Sequence, residues 1–174
     1  MNHKIVSLSD LIKIKKKSII NKKKIVLCHG VFDVLHIGHL KHFKEAKEYG
    51  DILIVSITPN KFVNKGPGRP IFNERNRLEA VSSIEVVDYV VLNNEPTSLN
   101  IIKDLKPNFY CKGPDYKNQK LDLTEAIKKE TSLVKKNKGE VIYTKSELFS
   151  SSEIINKTNI SKSKRENVIF RNIK

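Results

Sequence analysis

The chain has 174 residues, a length that predicts one domain with a core of its own. Apolar residues make up 39% of it, which excludes a disordered chain, and no apolar run approaches the roughly 20 residues of a membrane span, so we expect no membrane partner. The formal net charge of +14 lies mainly at the two ends, since residues 1–24 carry +7 and residues 157–174 carry +5.

Two kinds of segment alternate along the chain. Strands are predicted where short β-branched runs are apolar throughout, and helices where apolar residues recur at helical spacing. In chain order, the elements are a helix over 7–20, a strand over 23–30, a helix over 38–50, a strand over 51–58, a basic loop over 59–72, a helix over 73–84, a strand over 86–92, a helix over 95–106, a strand over 107–113, a helix over 123–139, a strand over 140–144 and a helix over 150–158.

This alternation predicts the fold class. Strands that are apolar throughout must be covered on both faces, and strands that alternate with helices run parallel. We therefore expect an α/β fold, a Rossmann-like doubly wound parallel five-stranded sheet with helices on both faces.

The excess of lysine has two explanations. Lysine outnumbers arginine 28 to 5, a bias typical of an AT-rich genome. A nucleic-acid-binding tail at each end is the alternative. Aromatic residues hardly interleave with these lysines, so stacking platforms for bases are missing, and we do not expect nucleic acid to be the main partner.

The cellular compartment is suggested by the termini and the thiols. The first ten residues lack the continuous apolar core of a signal peptide. Cys28 and Cys111 stand far apart in apolar segments, which predicts buried free thiols in a reducing cytoplasm.

The predicted strands end in residues suited to phosphate. Ligands of doubly wound sheets bind at the carboxyl ends of the strands. The stretches found there, such as "CHGVFDVLHIGH" and "CKGPDY", contain histidines, lysines and glycines but few carboxylates. Cations and helix N-termini stabilise anions, so these ends favour a phosphate site.

The tetrapeptide "HIGH" at 36–39, at the start of the second predicted helix, allows three interpretations. A zinc site would need further ligands, and although Asp33 and His42 could be offered, no zinc signature emerges. The two histidines could also serve only to cap the helix. In the third interpretation, two imidazoles one turn apart donate to charge that develops on an α-phosphate, with Gly38 between them to admit a triphosphate.

The context of this tetrapeptide matches a known family. The stretch "GVFDVLHIGH" resembles the signature of the cytidylyltransferase-like nucleotidyltransferases, whose members include glycerol-3-phosphate cytidylyltransferase and the nucleotidyltransferase domain of ADP-heptose synthase. Four further segments resemble family segments in the right order: "VNKGPGRP", "RNRLEAVSSIEVVDYVV", "CKGPDY" and "FSSSEIIN". The chain is accordingly divided into a basic N-terminal helix or extension (1–23), a nucleotidyltransferase domain (24–158) and a basic tail or linker (159–174).

The resemblance implies a reaction and a set of site residues. ATP or CTP would transfer its nucleoside monophosphate to a heptose-like sugar 1-phosphate and release pyrophosphate. The implied catalytic residues are His36, His39, Lys65 and Arg77. The implied nucleotide-binding residues are Gly30, Val31, Phe32, Lys112, Asp115, Ser150, Ser151 and Ser152. For Asp33, orientation of a histidine or a loop and a purely structural role stay open.

Alternatives and partners follow from the same resemblance. Glycerol 3-phosphate is the alternative acceptor, and a non-catalytic nucleotide- or nucleic-acid-binding module is the alternative function. Mg²⁺ is expected as the counter-ion of the nucleoside triphosphate, held mainly by phosphates and water rather than by a protein metal site. A homodimer and a sugar kinase domain or partner are compatible with the family.

Overall fold

Six strands and five helices make up the described part of the chain, which in the computed structural model comprises residues 3–117 and 126–145. The strands are β1 (Ile5–Val6), β2 (Ile25–Gly30), β3 (Ile52–Ile57), β4 (Tyr89–Leu92), β5 (Phe109–Lys112) and β6 (Glu140–Tyr143). The helices are α1 (Leu8–Ile20), α2 (Ile37–Lys47), α3 (Glu74–Ser82), α4 (Leu99–Leu105) and α5 (Ala126–Lys136), with 3₁₀ turns at Asn60–Phe62 and Pro114–Lys117.

The strands form one parallel sheet in the order β1-β4-β3-β2-β5-β6. From β2 the chain moves outward through β3 to β4, and it then returns to the other side of β2 with β5 and β6. The direction of winding therefore reverses at β2. In a sheet of this kind the ligand crevice lies at the carboxyl end of the strand where the order reverses.

The predicted fold class is confirmed, but the sheet has six strands rather than five. The added strand, β1, pairs Ile5 with Val90 and Val6 with Val91 at the outer side of β4. A strand of two residues is too short to show a periodicity in the sequence. The helix that follows, α1, buries Leu11 in the core, so part of the segment predicted as a basic extension packs on the sheet.

Each face of the sheet carries its own apolar layer. Alternate residues of β2 point to opposite faces, so Val26 packs with α2 and α3 while Leu27 packs with α1, α4 and α5. Cys28 of β2 and Cys111 of β5 are neighbours in the strand register, and both are buried free thiols. Helices on both faces explain why the central strands are apolar throughout.

One predicted helix is shorter in the structure, and one falls on residues that the structure does not describe. The helix expected over 95–106 begins only at Leu99, because Asn93 Nδ2 donates to the carbonyls of Glu95 and Thr97 at 2.7 Å each and holds the preceding residues in a turn. The helix predicted over 150–158 lies outside the described residues.

The end of α5 generates a stability prediction. A β-carbon at Gly139 would lie 2.5 Å from the backbone oxygen of Pro107, which cannot move aside as a flexible side chain can. Gly139→Ala should therefore lower the free energy of unfolding by about 1–3 kcal/mol in urea titrations. Lys135→Ala, at an exposed position of the same helix, should change it by less than about 0.5 kcal/mol. Equal losses in the two variants would contradict the steric explanation.

Candidate active site

The candidate site lies in the turn between β2 and α2. Phe32 and Val34 both have a φ of 52°, a left-handed conformation that costs most residues about 1–2 kcal/mol. Packing holds the turn in this form, because the buried Phe32 ring contacts the Phe43 ring at a centroid distance of 5.0 Å. The same ring covers Gly30, where a β-carbon would lie 3.1 Å from it. Glycine at position 30 thus allows the aromatic ring to close over the end of β2.

The two histidines of the turn cap α2 with one ring nitrogen each. His36 is the N-cap residue, and its Nδ1 accepts the backbone N–H of Gly38 at 3.2 Å. His39 Nδ1 accepts the backbone N–H of His36 at 3.4 Å, which completes a reciprocal capping box. The rings stack with centroids 3.9 Å apart. An Nδ1 that accepts a hydrogen bond carries no proton, so in each neutral ring the proton is on Nε2.

Burial keeps both rings neutral. It lowers the pKa of His36 below its ordinary value, with Lys65 as the second cause. It lowers the pKa of His39 to about 3, with further contributions from His36, His42 and Lys65. At neutral pH the two imidazoles are therefore hydrogen-bond donors through Nε2 without carrying charge. The exposed Lys65 supplies the positive charge near them.

Asp33 attaches the basic loop to this turn. The carboxylate is 2% exposed and accepts the backbone N–H groups of Ile71 and Phe72 at 2.9 and 3.0 Å and Arg69 Nε at 2.9 Å. Burial opposes ionisation of Asp33, but the two N–H groups and the guanidinium outweigh it and hold its pKa below the ordinary value. Of the roles left open for Asp33, the structure supports orientation of the loop. This loop carries Lys65.

Arg77 joins three segments around the same turn. It is 1% exposed and donates to the carbonyls of Phe72, Val31 and Thr58 and to Asn60 Oδ1, at distances of 2.6–3.0 Å. In this arrangement the guanidinium positions the end of β2, the end of β3 and the basic loop. A catalytic role for Arg77 stays a prediction.

Lys112, predicted to bind nucleotide, is the centre of a buried network at the end of β5. Its Nζ lies 3.3 Å from Glu130 Oε2, and the same carboxylate accepts the Tyr110 hydroxyl at 2.9 Å and the Ser98 N–H at 3.1 Å. Burial would lower the pKa of Lys112, but Tyr110 and Glu130 raise it above its ordinary value. The cation is therefore retained, within 4.5 Å of the Tyr116 ring centroid.

The other two histidines beside the turn pair with hydroxyl groups. His29 Nδ1 lies 3.0 Å from Ser56 Oγ, and His42 Nδ1 lies 3.0 Å from Thr144 Oγ1. Burial, with the nearby charge of Lys112, lowers the pKa of each to about 4. His42 therefore contacts the end of β6.

The remaining predicted residues are placed only in part. Gly30, Val31, Phe32, His36 and His39 lie between the end of β2 and the first turn of α2. Asp115 belongs to the 3₁₀ turn Pro114–Lys117 that follows Lys112. Ser150, Ser151 and Ser152 lie outside the described residues. Among residues 3–117 and 126–145, no group of three or more His, Cys, Asp or Glu side chains could hold a metal ion.

Sequence reasoning missed Glu130, which is 3% exposed. A signal for its burial was present, since Ile127, Glu130 and Val134 are spaced along one stripe of α5 and all three are buried. A carboxylate at an apolar position of an amphipathic helix predicts a buried cationic partner. The sequence alone did not identify Lys112 as that partner.

The sheet, its reversal at β2 and the histidine-capped helix together define a Rossmann-like nucleotidyltransferase domain. The Cytidylyltransferase-like family model matches residues 27–157, and the chain belongs to this family. The resemblance stated from the motifs is thereby confirmed.

Several known proteins are similar to the chain. The bifunctional protein HldE of Campylobacter fetus is 36% identical over 127 residues, which cover 72% of this chain and 27% of that protein. HldE of Aliarcobacter butzleri is 43% identical over 115 residues, which cover 65% of this chain and 24% of that protein. The chain thus spans about a quarter of the length of the curated relatives it matches.

Solved structures agree on the fold. A lipopolysaccharide core biosynthesis protein from Thermoplasma volcanium aligns with a TM-score of 0.60 at 28% identity, over 72% of this chain and 99% of that one. A pantoate-beta-alanine ligase from Francisella tularensis aligns with a TM-score of 0.57 over 80% of this chain and 66% of that one. At 19% identity the second likeness shows the fold alone.

The buried histidines predict how stability depends on pH. Their folded pKa values, about 3 for His39 and about 4 for His29 and His42, lie below the ordinary 6.5, so the unfolded chain takes up protons first. The stabilisation is complete above the ordinary value and is lost as the pH falls from there towards the folded pKa values. Each histidine should contribute up to about 1.4 kcal/mol per pH unit in that window.

Urea titrations at several pH values between about 7 and 4.5 test this slope. His42→Gln removes one of the titrating groups and should make the slope shallower. A free energy of unfolding that does not change between about pH 7 and pH 5 would contradict the assignment of neutral buried imidazoles.

The Lys112–Glu130 pair predicts a non-additive response. Glu130→Gln keeps an oxygen for Ser98 but removes the charge opposite a buried ammonium, so the free energy of unfolding should fall by about 3–5 kcal/mol. The double variant Lys112→Met, Glu130→Gln removes both charges and should recover most of that loss. Urea denaturation of Glu130→Gln, of Lys112→Met and of the double variant measures the coupling. Purely additive losses in the free energy of unfolding would show that the two charges do not interact.

Proposed function

We propose that the chain transfers the nucleoside monophosphate of an NTP to a phosphorylated acceptor and releases pyrophosphate. One observation carries the proposal. Both histidines of the HIGH motif use Nδ1 to cap α2, which leaves an Nε2–H on each stacked ring. Two neutral donors held side by side at a helix N-terminus are suited to an anionic transition state, because they need no reorganisation when charge develops.

The reaction makes one bond and breaks one. An oxygen of the acceptor phosphate attacks the α-phosphorus, the bond from that phosphorus to the bridging oxygen breaks, and pyrophosphate leaves with the bonding electrons. The protein forms no covalent bond in this scheme, so catalysis comes from positioning and from stabilisation of charge. His36 and His39 would donate to the oxygens of the α-phosphate through Nε2.

The basic loop and the turn would complete the phosphate site. Asp33 binds the loop that carries Lys65 to the turn that leads into the histidines. Lys65 would therefore lie near the bound phosphates and neutralise part of their charge. The N–H groups of Gly30, Val31 and Phe32 would line the path of the phosphates. Arg77 would act on them indirectly, by holding Val31 in place.

The opposite side of the site would bind the rest of the nucleotide. Lys112 keeps its positive charge at the carboxyl end of β5, next to β2 in the sheet. Asp115 follows it in the chain, and Ser150, Ser151 and Ser152 would bind the terminal phosphates through their hydroxyl groups.

Magnesium would accompany the nucleotide. The residues around the turn are rich in imidazole and cationic groups rather than oxygen ligands, which suits an ion held mainly by phosphates and water. When bound, Mg²⁺ would neutralise charge on the triphosphate.

We further propose a heptose-like sugar 1-phosphate as acceptor and ATP or CTP as donor. The similarity to proteins named HldE and to a lipopolysaccharide core biosynthesis protein supports a role in nucleotide-sugar formation. Glycerol 3-phosphate is the alternative acceptor. A sugar kinase domain or partner would supply a sugar phosphate, and the name "bifunctional" of relatives of which only about a quarter aligns with this chain supports such an association. The buried free thiols Cys28 and Cys111 suit a reducing cytoplasm.

Pyrophosphate release tests the reaction. The protein is incubated with Mg²⁺, ATP or CTP, and a panel of sugar 1-phosphates and glycerol 3-phosphate. We expect release with one donor and a sugar 1-phosphate. Release only with glycerol 3-phosphate would overturn the sugar assignment, and binding of NTP without release for any pair would identify a non-catalytic nucleotide-binding module.

His36→Asn separates catalysis from helix capping. Asparagine is a strong N-cap residue, so it should keep the bond to the Gly38 N–H and the stability of α2, whereas the Nε2 donor is lost. We expect kcat to fall on the order of 100-fold with an unchanged urea midpoint. Lys44→Ala, at an exposed position of the same helix, should keep the wild-type rate. A fully active H36N variant would show that His36 only caps the helix.

A further inference from the structure

We propose that the helical layer formed by α1, α4 and α5 binds the surface of an anionic lipid bilayer. This surface, called the basic face below, covers one side of the sheet and is separate from the turn that carries the histidines. The proposal does not depend on the proposed reaction.

Among the five helices, positive charge is concentrated on this side of the sheet. Helices α1, α4 and α5 carry nine lysines and three acidic residues, whereas α2 and α3 on the other side carry five basic and three acidic residues. The described part of the basic N-terminal segment, residues 3–24, therefore does not stand apart as a tail. Its helix lies in the same layer as the lysine-rich α5, with α4 between them.

The acidic residues of the basic face do little to offset its lysines. Glu130 is buried beside Lys112, and Asp10 is paired with Lys13 at 2.8 Å. Asp104 remains the one exposed acidic residue of the three helices, all of which belong to the described chain. By contrast, Lys16, Lys17, Lys129 and Lys136 are all exposed.

Apolar side chains are exposed among these lysines. Ile12, Ile19 and Ile20 of α1 are 45%, 66% and 78% exposed. On α5, Leu133 lines a shallow depression of about 390 Å³ together with lysines of the same helix. Lysines combined with exposed aliphatic residues are the composition of helices that lie on membrane surfaces, where the charges meet headgroups and the apolar groups enter the interface.

The composition favours lipid over a macromolecular partner. Helices α1, α4 and α5 contain no arginine and no aromatic residue. Protein interfaces are enriched in arginine and aromatic residues and depleted in lysine. Single-stranded nucleic acid is held by aromatic stacking, which this face cannot provide. A bilayer needs neither, because each lysine acts as a point charge worth about 1 kcal/mol near an anionic surface.

The expectation of no membrane partner follows from the lack of an apolar run long enough to span a bilayer, so it concerns spanning and not attachment to the surface. None of the described helices combines the length and apolar character that a bilayer crossing requires. Attachment to the surface of a bilayer does not require such a helix.

Vesicle co-sedimentation of the full chain tests the proposal. We expect binding to phosphatidylcholine vesicles that contain roughly one third phosphatidylglycerol, no binding to pure phosphatidylcholine, and release as NaCl rises to about 0.5 M. Equal binding to neutral vesicles, or no binding to anionic ones at low salt, would overturn it.

Matched double variants locate the binding surface. The first double variant, Lys16→Glu with Lys136→Glu, lies on the basic face. The control, Lys44→Glu with Arg75→Glu, lies on the opposite side of the sheet. Both change the net charge by the same amount, and all four positions are exposed. The first pair should weaken vesicle binding on the order of tenfold or more, while the second should change it by less than about twofold. Equal losses would mean that total charge alone matters, and wild-type binding by the first pair would place the binding elsewhere, so either result would overturn the proposal.

Oligonucleotides provide the competing outcome. Fluorescence anisotropy with single- and double-stranded oligonucleotides at the same salt concentration should show weaker binding than the anionic vesicles. Tighter binding to an oligonucleotide, lost in K16E/K136E, would overturn the lipid assignment in favour of nucleic acid. Circular dichroism and urea midpoints of the variants check that the fold is kept.

Discussion

The first backbone N–H groups of a helix need acceptors from outside the helix, and at the start of α2 imidazoles meet part of this need. An ionised aspartate would also have capped the helix but, as an acceptor only, would have offered no donor on its far side. A neutral imidazole has two nitrogens with opposite roles, so the ring that accepts through Nδ1 must donate through Nε2. The capping requirement thus fixes the tautomer, the orientation and the neutrality of both rings at once.

Buried hydrogen-bonding groups also determine how the surrounding loops are held. Asp33 accepts two backbone N–H groups of the basic loop, and Arg77 donates to the carbonyl of Val31 in the turn and to that of Thr58 after β3. Removing either group would leave part-buried backbone groups unsatisfied, which costs more than the bonds themselves contribute. The loop and the turn are therefore coupled, and Lys65 on the loop is held near the two histidines.

The sequence predicts those parts of the structure that depend on local pattern. Strands β2 to β6 are apolar runs and the helices between them have helical periodicity, so the fold class could be predicted. The two-residue strand β1 shows no pattern, and the turn held by Asn93 shortens α4 through side-chain bonds that periodicity does not report. In the site, the context of the HIGH motif predicted that His36 and His39 lie at the start of α2, where the structure has them, and their catalytic role stays a prediction. The pairing of Lys112 with Glu130 joins residues 18 positions apart through the packing of a helix on a strand, which no local pattern encodes.

The distribution of charge shows most directly what folding adds to composition. Read along the chain, the lysines of α1 belong to a basic end, and the middle of the chain is nearly neutral. Parallel winding sends successive helices to either side of the sheet, so neighbours in sequence such as α1 and α2 lie on opposite faces, while α1 and α4 become neighbours in space. The lysines gathered in this way repel one another. Lys15 of α1 is an example: burial lowers its pKa first, and the positive charge of Lys106 at the end of α4 lowers it further. A surface of like charges that the fold brings together is stabilised when an anionic surface lies against it, because the opposite charge offsets this repulsion.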